Sequence, residues 1–213
     1  MIYIIKHRKY YNEVPKDYKE LGVGDLFIDN GKDNINDLNK YLSELTGLYD
    51  MWKNTNDDIV GLCHYRRMFW YNDDYLTIKD AKKILKDYDI IVTNEVKFDN
   101  WSLYWQLRYE VEDSDILDKY LNEYYKKVPE FKEYLNRNSF SNREMFVCKR
   151  ELMEKYCEWV FPIAIPITEK FIKEDANNLK VNTRLVSHIV ERLFDYWVRS
   201  NKLKVYNMDY KNI

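Results

Sequence analysis

The chain has 213 residues, with 34 Lys and Arg against 36 Asp and Glu and a formal charge of −2. That length admits one domain with a sizeable core, and the interspersed charge gives no field able to hold a nucleic-acid backbone, so an anionic ligand must be met by a local cluster. With five glycines in all and no Gly-rich phosphate loop, hydrolase elbow, kinase set or internal repeat, a P-loop or dinucleotide-binding fold is excluded. Cys63, Cys148 and Cys157 lie in apolar patterns without C-x-x-C spacing, which fits a reducing cytoplasm. No signal-peptide pattern follows Met1. The longest uncharged run, residues 159–168, is about half a membrane span, so the expected place is the cytoplasm, at most against a membrane surface.

Residues 2–5 read as a buried strand that ends in the basic loop Lys6-His7-Arg8-Lys9. Residues 11–36 carry Pro15, Gly22, Gly24 and Gly31 and read as loop, with a short strand near 21–23. Asp33, Asn34 and Asn36 precede a helix that Asn36 or Asp37 can cap. Its apolar positions are Leu38, Tyr41, Leu42, Leu45, Leu48, Tyr49 and Trp52, at helical spacing. Asn39 and Thr46 share one face, with Glu44 further round. Buried unsatisfied polar groups cost about 1–3 kcal/mol each, so these three need a ligand or a hydrogen-bond network. Ile59, Val60, Leu62 and Cys63 then form a strand covered on both faces, and it ends at His64-Tyr65-Arg66-Arg67. If the strand runs on through them, His64 and Arg66 point one way and Arg67 the other, towards a structural partner such as Glu44. Asp73 and Asp74 are the nearest carboxylates beyond; an Asx turn explains them, and a metal site is the alternative. A helix starts at Thr77 with Asp80 in its first turn, and residues 89–93 are the next strand. This alternation predicts an α/β fold with a mostly parallel central sheet, helices on both faces and a ligand cleft at the carboxyl ends of the strands.

Further on, Trp101 and Trp105 stand one helical turn apart, with Tyr104 and Tyr109 nearby. A stripe at this spacing reads as core, with a sugar platform for an acceptor as the other reading. A helix follows from Ser114 and another after Pro129. Residues 145–148 are a strand whose polar lead-in is Asn142, Arg143 and Glu144, followed by a helix over 151–159. In the last helix, 183–200, Arg184, His188 and Glu191 share a face, which is either a site or a salt-bridged surface. Residues 204–207 suit an edge strand.

The blocks Asp33-Asn34-Ile35, Asn39, Glu44-Leu45-Thr46, Trp52-Lys53-Asn54, Gly61-Leu62 and His64-Tyr65-Arg66-Arg67 resemble a family of bacterial and viral surface-polysaccharide glycosyltransferases. That family was long filed as a domain of unknown function and is grouped with GT-A nucleotide-sugar transferases. His7, Lys9 and Tyr10 resemble its opening His-Lys-x-Tyr. Met145-Phe146-Val147, Tyr156-Cys157-Glu158-Trp159 and Phe161-Pro162 resemble its middle block, and Arg184 with Glu191-Arg192-Leu193 its last helix. The resemblance implies one GT-A-like domain over 1–213. It implies a hexosyltransferase moving sugar from a nucleoside diphosphate sugar, a uridine one first, to a glycan or lipid-linked glycan acceptor in capsule or other surface-polysaccharide synthesis.

The same resemblance, with the residue chemistry, sets His7, Asp33, Asn34, Asn39, Glu44, Thr46, His64, Arg66 and Arg184 around the donor. Where many GT-A enzymes hold a divalent ion on Asp-x-Asp, this chain has His64-Tyr65-Arg66, and guanidinium groups can stabilise the same leaving diphosphate. Mn²⁺ or Mg²⁺ on Asp73 and Asp74 is the alternative. Glu191 or Glu144 would be the base in an inverting reaction; Glu144 stands where the family more often has Asn, and reads first as a solvated substitution, with an acquired catalytic carboxylate as the alternative. The rivals from other classes are a non-catalytic nucleotide- or sugar-binding module, and a nucleic-acid module, which the charge balance disfavours.

Overall fold

A computed structural model describes residues 1–9, 13–111, 114–177 and 182–212, so Tyr10 lies outside the described residues. Strand β1 (Ile2–Lys6) shows why a sheet forms at its centre. Ile2 and Ile4 enter one buried cluster while Tyr3 and Ile5 enter the other, the period-2 alternation of a strand covered on both faces. Strand β2 (Tyr18–Gly22) pairs with it in parallel. The helix expected over residues 36–52 is broken into α1 (Asn39–Leu42) and α2 (Leu45–Asn54), because Ser43 adopts φ 50°, ψ −123° between them. Strand β3 (Ile59–His64) is buried throughout except at its polar end.

The chain does not run on through that end. Tyr65 and Arg66 form a two-residue turn and β4 (Arg67–Tyr71) doubles back, with His64 opposite Arg67. A second hairpin, β4 to β5 (Asp74–Tyr75), turns on Asn72 and Asp73, both at positive φ as a tight two-residue hairpin turn requires. Helix α3 (Ile78–Ile84) begins as expected, with Thr77 Oγ accepting the Asp80 N–H at 3.1 Å. Then come β6 (Ile90–Thr93), β7 (Glu95–Lys97), the helices α4 (Leu103–Val111), α5 (Ser114–Lys127) and α6 (Phe131–Tyr134), and β8 (Ser139–Ser141), which pairs with β7.

Strand β9 (Phe146–Lys149) leads into α7 (Arg150–Glu174), which passes its expected end at 159 and runs through Pro162 and Pro166. Both prolines are exposed, so the carbonyls they leave without an N–H partner lie on the solvent side. The opposite face buries Val160, Phe161, Ala164, Ile167 and Phe171, which offsets the helix-breaking cost. Helix α8 (Leu185–Ser200), the edge strand β10 (Val205–Met208) and β11 (Tyr210–Asn212), paired with β4, close the chain.

The sheet order is β10-β6-β9-β3-β1-β2. β1 is parallel to β2 and to β3, β10 is parallel to β6, and β9 is antiparallel to both β3 and β6. The sheet is therefore mostly parallel, with β9 reversed. Gly61 in β3 lets β9 and β1 close in, since a Cβ there would stand 2.8 Å from Val147 Cγ2 and 3.1 Å from Ile2. Side chains of α2, α4, α5, α7 and α8 fill one face and those of α3 the other, so both faces carry helices, unequally. Among the described residues no helix is long and apolar enough to cross a membrane.

Candidate functional site

The carboxyl ends of β1, β3 and β6 and the start of β9 meet at one edge of the sheet, and their polar side chains face two adjoining cavities. One, of about 360 Å³, lies over the end of β1; the other, of about 370 Å³, lies between the β3 end and helices α4 and α8. Glu44, His64, Arg66, Arg67 and Arg184 line both. The two-residue turn produces this arrangement. Because β4 reverses at once, Arg66 and Arg67 both reach the cavities, whereas a continuing strand would have sent Arg67 away. No ion pair joins Arg67 to Glu44 within 4 Å, which corrects the structural partnership the sequence suggests. Burial, reinforced by Arg143, draws the Arg67 pKa down from its ordinary value.

The break at Ser43 sets Glu44 at the head of α2, within 3.6 Å of His64 Nε2 and 4.0 Å of Arg184 Nη2. These are loose contacts, and no closer polar partner engages the Glu44 carboxylate among the described residues. A local network holds the strained turn. Asn39 Nδ2 donates to Ser43 O at 2.9 Å and to Thr46 Oγ at 2.7 Å, and Arg184 Nε donates to Ser43 Oγ at 3.1 Å. Thr46 is thus buried in the support beneath Glu44, while Asn39 also lines the β1 cavity. Among the described residues that cavity carries five cations, Arg8, Lys40, Arg66, Arg67 and Arg184, against the single carboxylate Glu44. His7 sits at its rim, its ring 5.0 Å from that of Tyr65. Burial, with Arg8, Arg184 and Arg66 nearby, lowers its pKa and keeps the imidazole neutral near pH 7.

The second cavity has mixed charge. Arg192, fully buried beneath it, donates to Glu191 Oε2 at 2.9 Å and to Glu110 Oε2 at 2.7 Å, and also bonds Gln106. Glu191 further accepts the Arg143 backbone N–H at 2.5 Å, and Glu110 Oε1 accepts the Gln106 side-chain amide at 2.5 Å. Burial pushes the Glu191 pKa up, but Arg192, the Arg143 N–H and His188 outweigh it and hold the carboxylate below its usual range. His188 stands 3.3 Å from Glu110, its pKa lowered by burial. Residues 143 and 144 both adopt positive φ, 79° and 51°, and this bend turns Arg143 towards the cavity and Glu144 inward. Among the described residues five side-chain atoms here are buried without a hydrogen-bond partner in the protein: His64 Nε2, Arg67 Nε, Asn142 Oδ1, Arg143 Nε and, beneath the cavity, Arg192 Nε. Native folds rarely leave such groups unmatched, so their gathering around one cavity marks a ligand site.

Residues 1–202 match the family described as a domain of unknown function, DUF4422. The chain belongs to this family. No curated protein matches it. Among solved structures it is similar to the apo form of WbbM, a bifunctional glycosyltransferase, with a TM-score of 0.80 and 22% identity over 100% of this chain and 45% of that one. The likeness shows a shared α/β fold, and the chain spans less than half the length of WbbM.

Of the residues this DUF4422 sequence singles out, His7, Asn39, Glu44, His64, Arg66, Arg184 and Glu191 line the cavities. Asp33 and Asn34 do not. Asp33 accepts the Tyr49 hydroxyl at 3.2 Å and Asn34 Oδ1 accepts the Asn36 N–H at 3.0 Å, both in an exposed turn. Asn36 caps no helix; its amide clasps Gly24, accepting from N at 2.8 Å and donating to O at 3.2 Å. Glu144 is a correction too. It is sealed under the cavity with Tyr156 donating to it at 2.7 Å, out of an acceptor's reach, and burial raises its pKa well above its ordinary value. Asp73 and Asp74 sit at the exposed β4–β5 turn, outside both cavities, with Asp74 accepting the Tyr75 N–H at 2.7 Å. Among the described residues no group of three or more His, Cys, Asp or Glu stands close enough to hold a metal ion. Sequence reasoning missed Glu110 and Gln106, whose only signal is their place one residue after Tyr109 and Trp105.

Proposed function

We propose that the chain is a glycosyltransferase that takes a nucleoside diphosphate sugar as donor and a glycan as acceptor. The observation that carries this is the gathering of buried side-chain nitrogens without hydrogen-bond partners, His64 Nε2, Arg67 Nε and Arg143 Nε, where a five-cation cavity opens into one of mixed charge. A diphosphate at the shared wall would be met by Arg66, Arg67 and Arg184, whose guanidinium groups bind phosphate oxygens bidentately and stabilise the charge that develops as the sugar–oxygen bond breaks. The nucleotide would extend over β1 towards His7, and the sugar into the mixed cavity, where carboxylates and amides suit hydroxyl groups. In an inverting reaction Glu44 is the carboxylate free to take the acceptor proton, since Glu191 and Glu110 are already bonded to Arg192. The family resemblance supports a GT-A-type enzyme, a UDP-sugar and a surface-polysaccharide product; a lipid-linked acceptor would be met at the membrane surface.

Release of nucleoside diphosphate from a panel of UDP-, GDP- and dTDP-sugars, with and without EDTA, tests the reading. Turnover of one donor that survives EDTA is expected. Saturable binding without turnover would return the site to a non-catalytic binding module, and turnover abolished by EDTA would mean that the arginines do not replace an ion.

A further inference from the structure

Trp101, Trp105 and Tyr109 are 44%, 56% and 73% exposed, and among the described residues they are three of the five large hydrophobic side chains that stand so. The helical spacing of the stripe reads as core, yet the buried residues of α4 are Leu103, Leu107 and Val111. The rings turn outward and assemble. Trp101 and Tyr109 meet edge to face with centroids 5.4 Å apart, and the Arg108 guanidinium lies 5.2 Å over the Trp105 ring. With Asn100 they line an open recess of about 550 Å³. Leaving two tryptophans in water forfeits burial that the fold achieves for Trp197 and, in part, for Trp52 and Trp159, and an exposed aromatic patch of this kind marks a contact surface.

We propose that this recess binds carbohydrate, as a platform on which a glycan chain stacks beside the polar cavity. Its chemistry matches a sugar. The walls are flat ring faces for the apolar C–H faces of a pyranose, with Asn100 and Arg108 at hand as hydrogen-bonding groups for hydroxyls, and among the described residues no aliphatic side chain lines it. Helix α4 joins the two sites. Gln106 and Glu110, which line the mixed cavity, directly follow Trp105 and Tyr109 in sequence, about 100° further round the helix. A membrane surface is the other class of partner for such rings. Helices that lie in that interface carry a Lys- and Arg-rich polar face, whereas α4 has one Arg and one Glu and the whole chain has a charge of −2. That the bound glycan is the acceptor rests on the transferase reading; that the platform binds glycan does not.

The test uses the full chain and its Trp101→Ala/Trp105→Ala variant, whose folding is checked by far-UV circular dichroism. Both are applied to an array of hexose and N-acetylhexosamine oligosaccharides and, in parallel, to sedimentation with phosphatidylglycerol–phosphatidylethanolamine vesicles. Selective glycan binding that falls about tenfold or more in the variant is expected, with UDP binding at the polar cavity unchanged. Glycan binding that the variant keeps, no glycan binding by the wild type, or tryptophan-dependent binding to vesicles alone each overturns the platform. The two readouts fail separately: glycan capture without binding of UDP, GDP or dTDP keeps the platform and removes the transferase reading.

Discussion

Glu144→Gln separates a buried structural carboxyl from a catalytic one. In the fold Glu144 is 2% exposed and takes the Tyr156 hydroxyl at 2.7 Å; a glutamine oxygen can accept the same bond. Burial raises the Glu144 pKa well above its ordinary 4.5. In the unfolded chain the group ionises through pH 4.5 while the folded protein keeps it protonated, so its contribution is fully present below that pH and is lost as pH rises towards the folded pKa. Each pH unit in that window costs the wild type about 1.4 kcal/mol relative to glutamine. From pH 5 upward the variant therefore gains on the wild type at that slope until the buried group ionises. Urea unfolding followed by circular dichroism at pH 5, 6 and 7 reads this directly. Parallel stability curves would refute the argument, for they would mean that Glu144 ionises in the fold. Sugar transfer should persist in the variant, and its loss without any change in stability would restore Glu144 as a base.

Arg192→Met strands Glu110 and Glu191 without their buried cation and is expected to cost about 3–5 kcal/mol in urea unfolding; a loss under about 1 kcal/mol would show that the cluster is not held together by this arginine. The Glu191 carboxylate, held below its usual range, stabilises the fold above pH 4.5, and this is lost as pH falls through its folded pKa. Glu191→Gln should flatten the acid limb of the stability curve, and an unchanged limb would count against the Arg192 pairing. Gly61→Ala puts a methyl 2.8 Å from Val147 and 3.1 Å from Ile2 in the middle of the sheet, and such overpacking is expected to cost about 1–3 kcal/mol, read as a lowered thermal midpoint.

Much of the scaffold was legible because apolar runs and helical periods are local. β1, β3, β6 and α8 each announce themselves within a dozen residues. Strand direction is not local: residues 145–148 read as the same buried run whether parallel or antiparallel, and only the pairing of β9 with β3 and β6 reveals the reversal. The break at Ser43 carries no Gly or Pro, and the apolar spacing of Leu42 and Leu45 continues across it, so the sequence reads as one helix. Within the site, His64 and Arg66 were placed by the end of an apolar run. Arg67 was misdirected because two residues suffice to turn the chain, and Glu110 was missed because nothing near it in sequence foretells the buried Arg192 that engages it. The aromatic stripe on α4 has the spacing of a packed face, but spacing cannot say whether that face meets the core or water.

The arginine-lined wall between the two cavities is the proposed site of a nucleoside diphosphate. Calorimetric titration of UDP, GDP and dTDP into the wild type and into Arg66→Ala reads that binding. Hydrogen bonds to charged groups contribute about 1.5–3 kcal/mol each, so saturable wild-type binding of one of the three should weaken roughly 10- to 100-fold in the variant, while Asp73→Asn/Asp74→Asn leaves it unchanged. Absence of saturable binding to any nucleoside diphosphate, or equal affinity in Arg66→Ala, would contradict it.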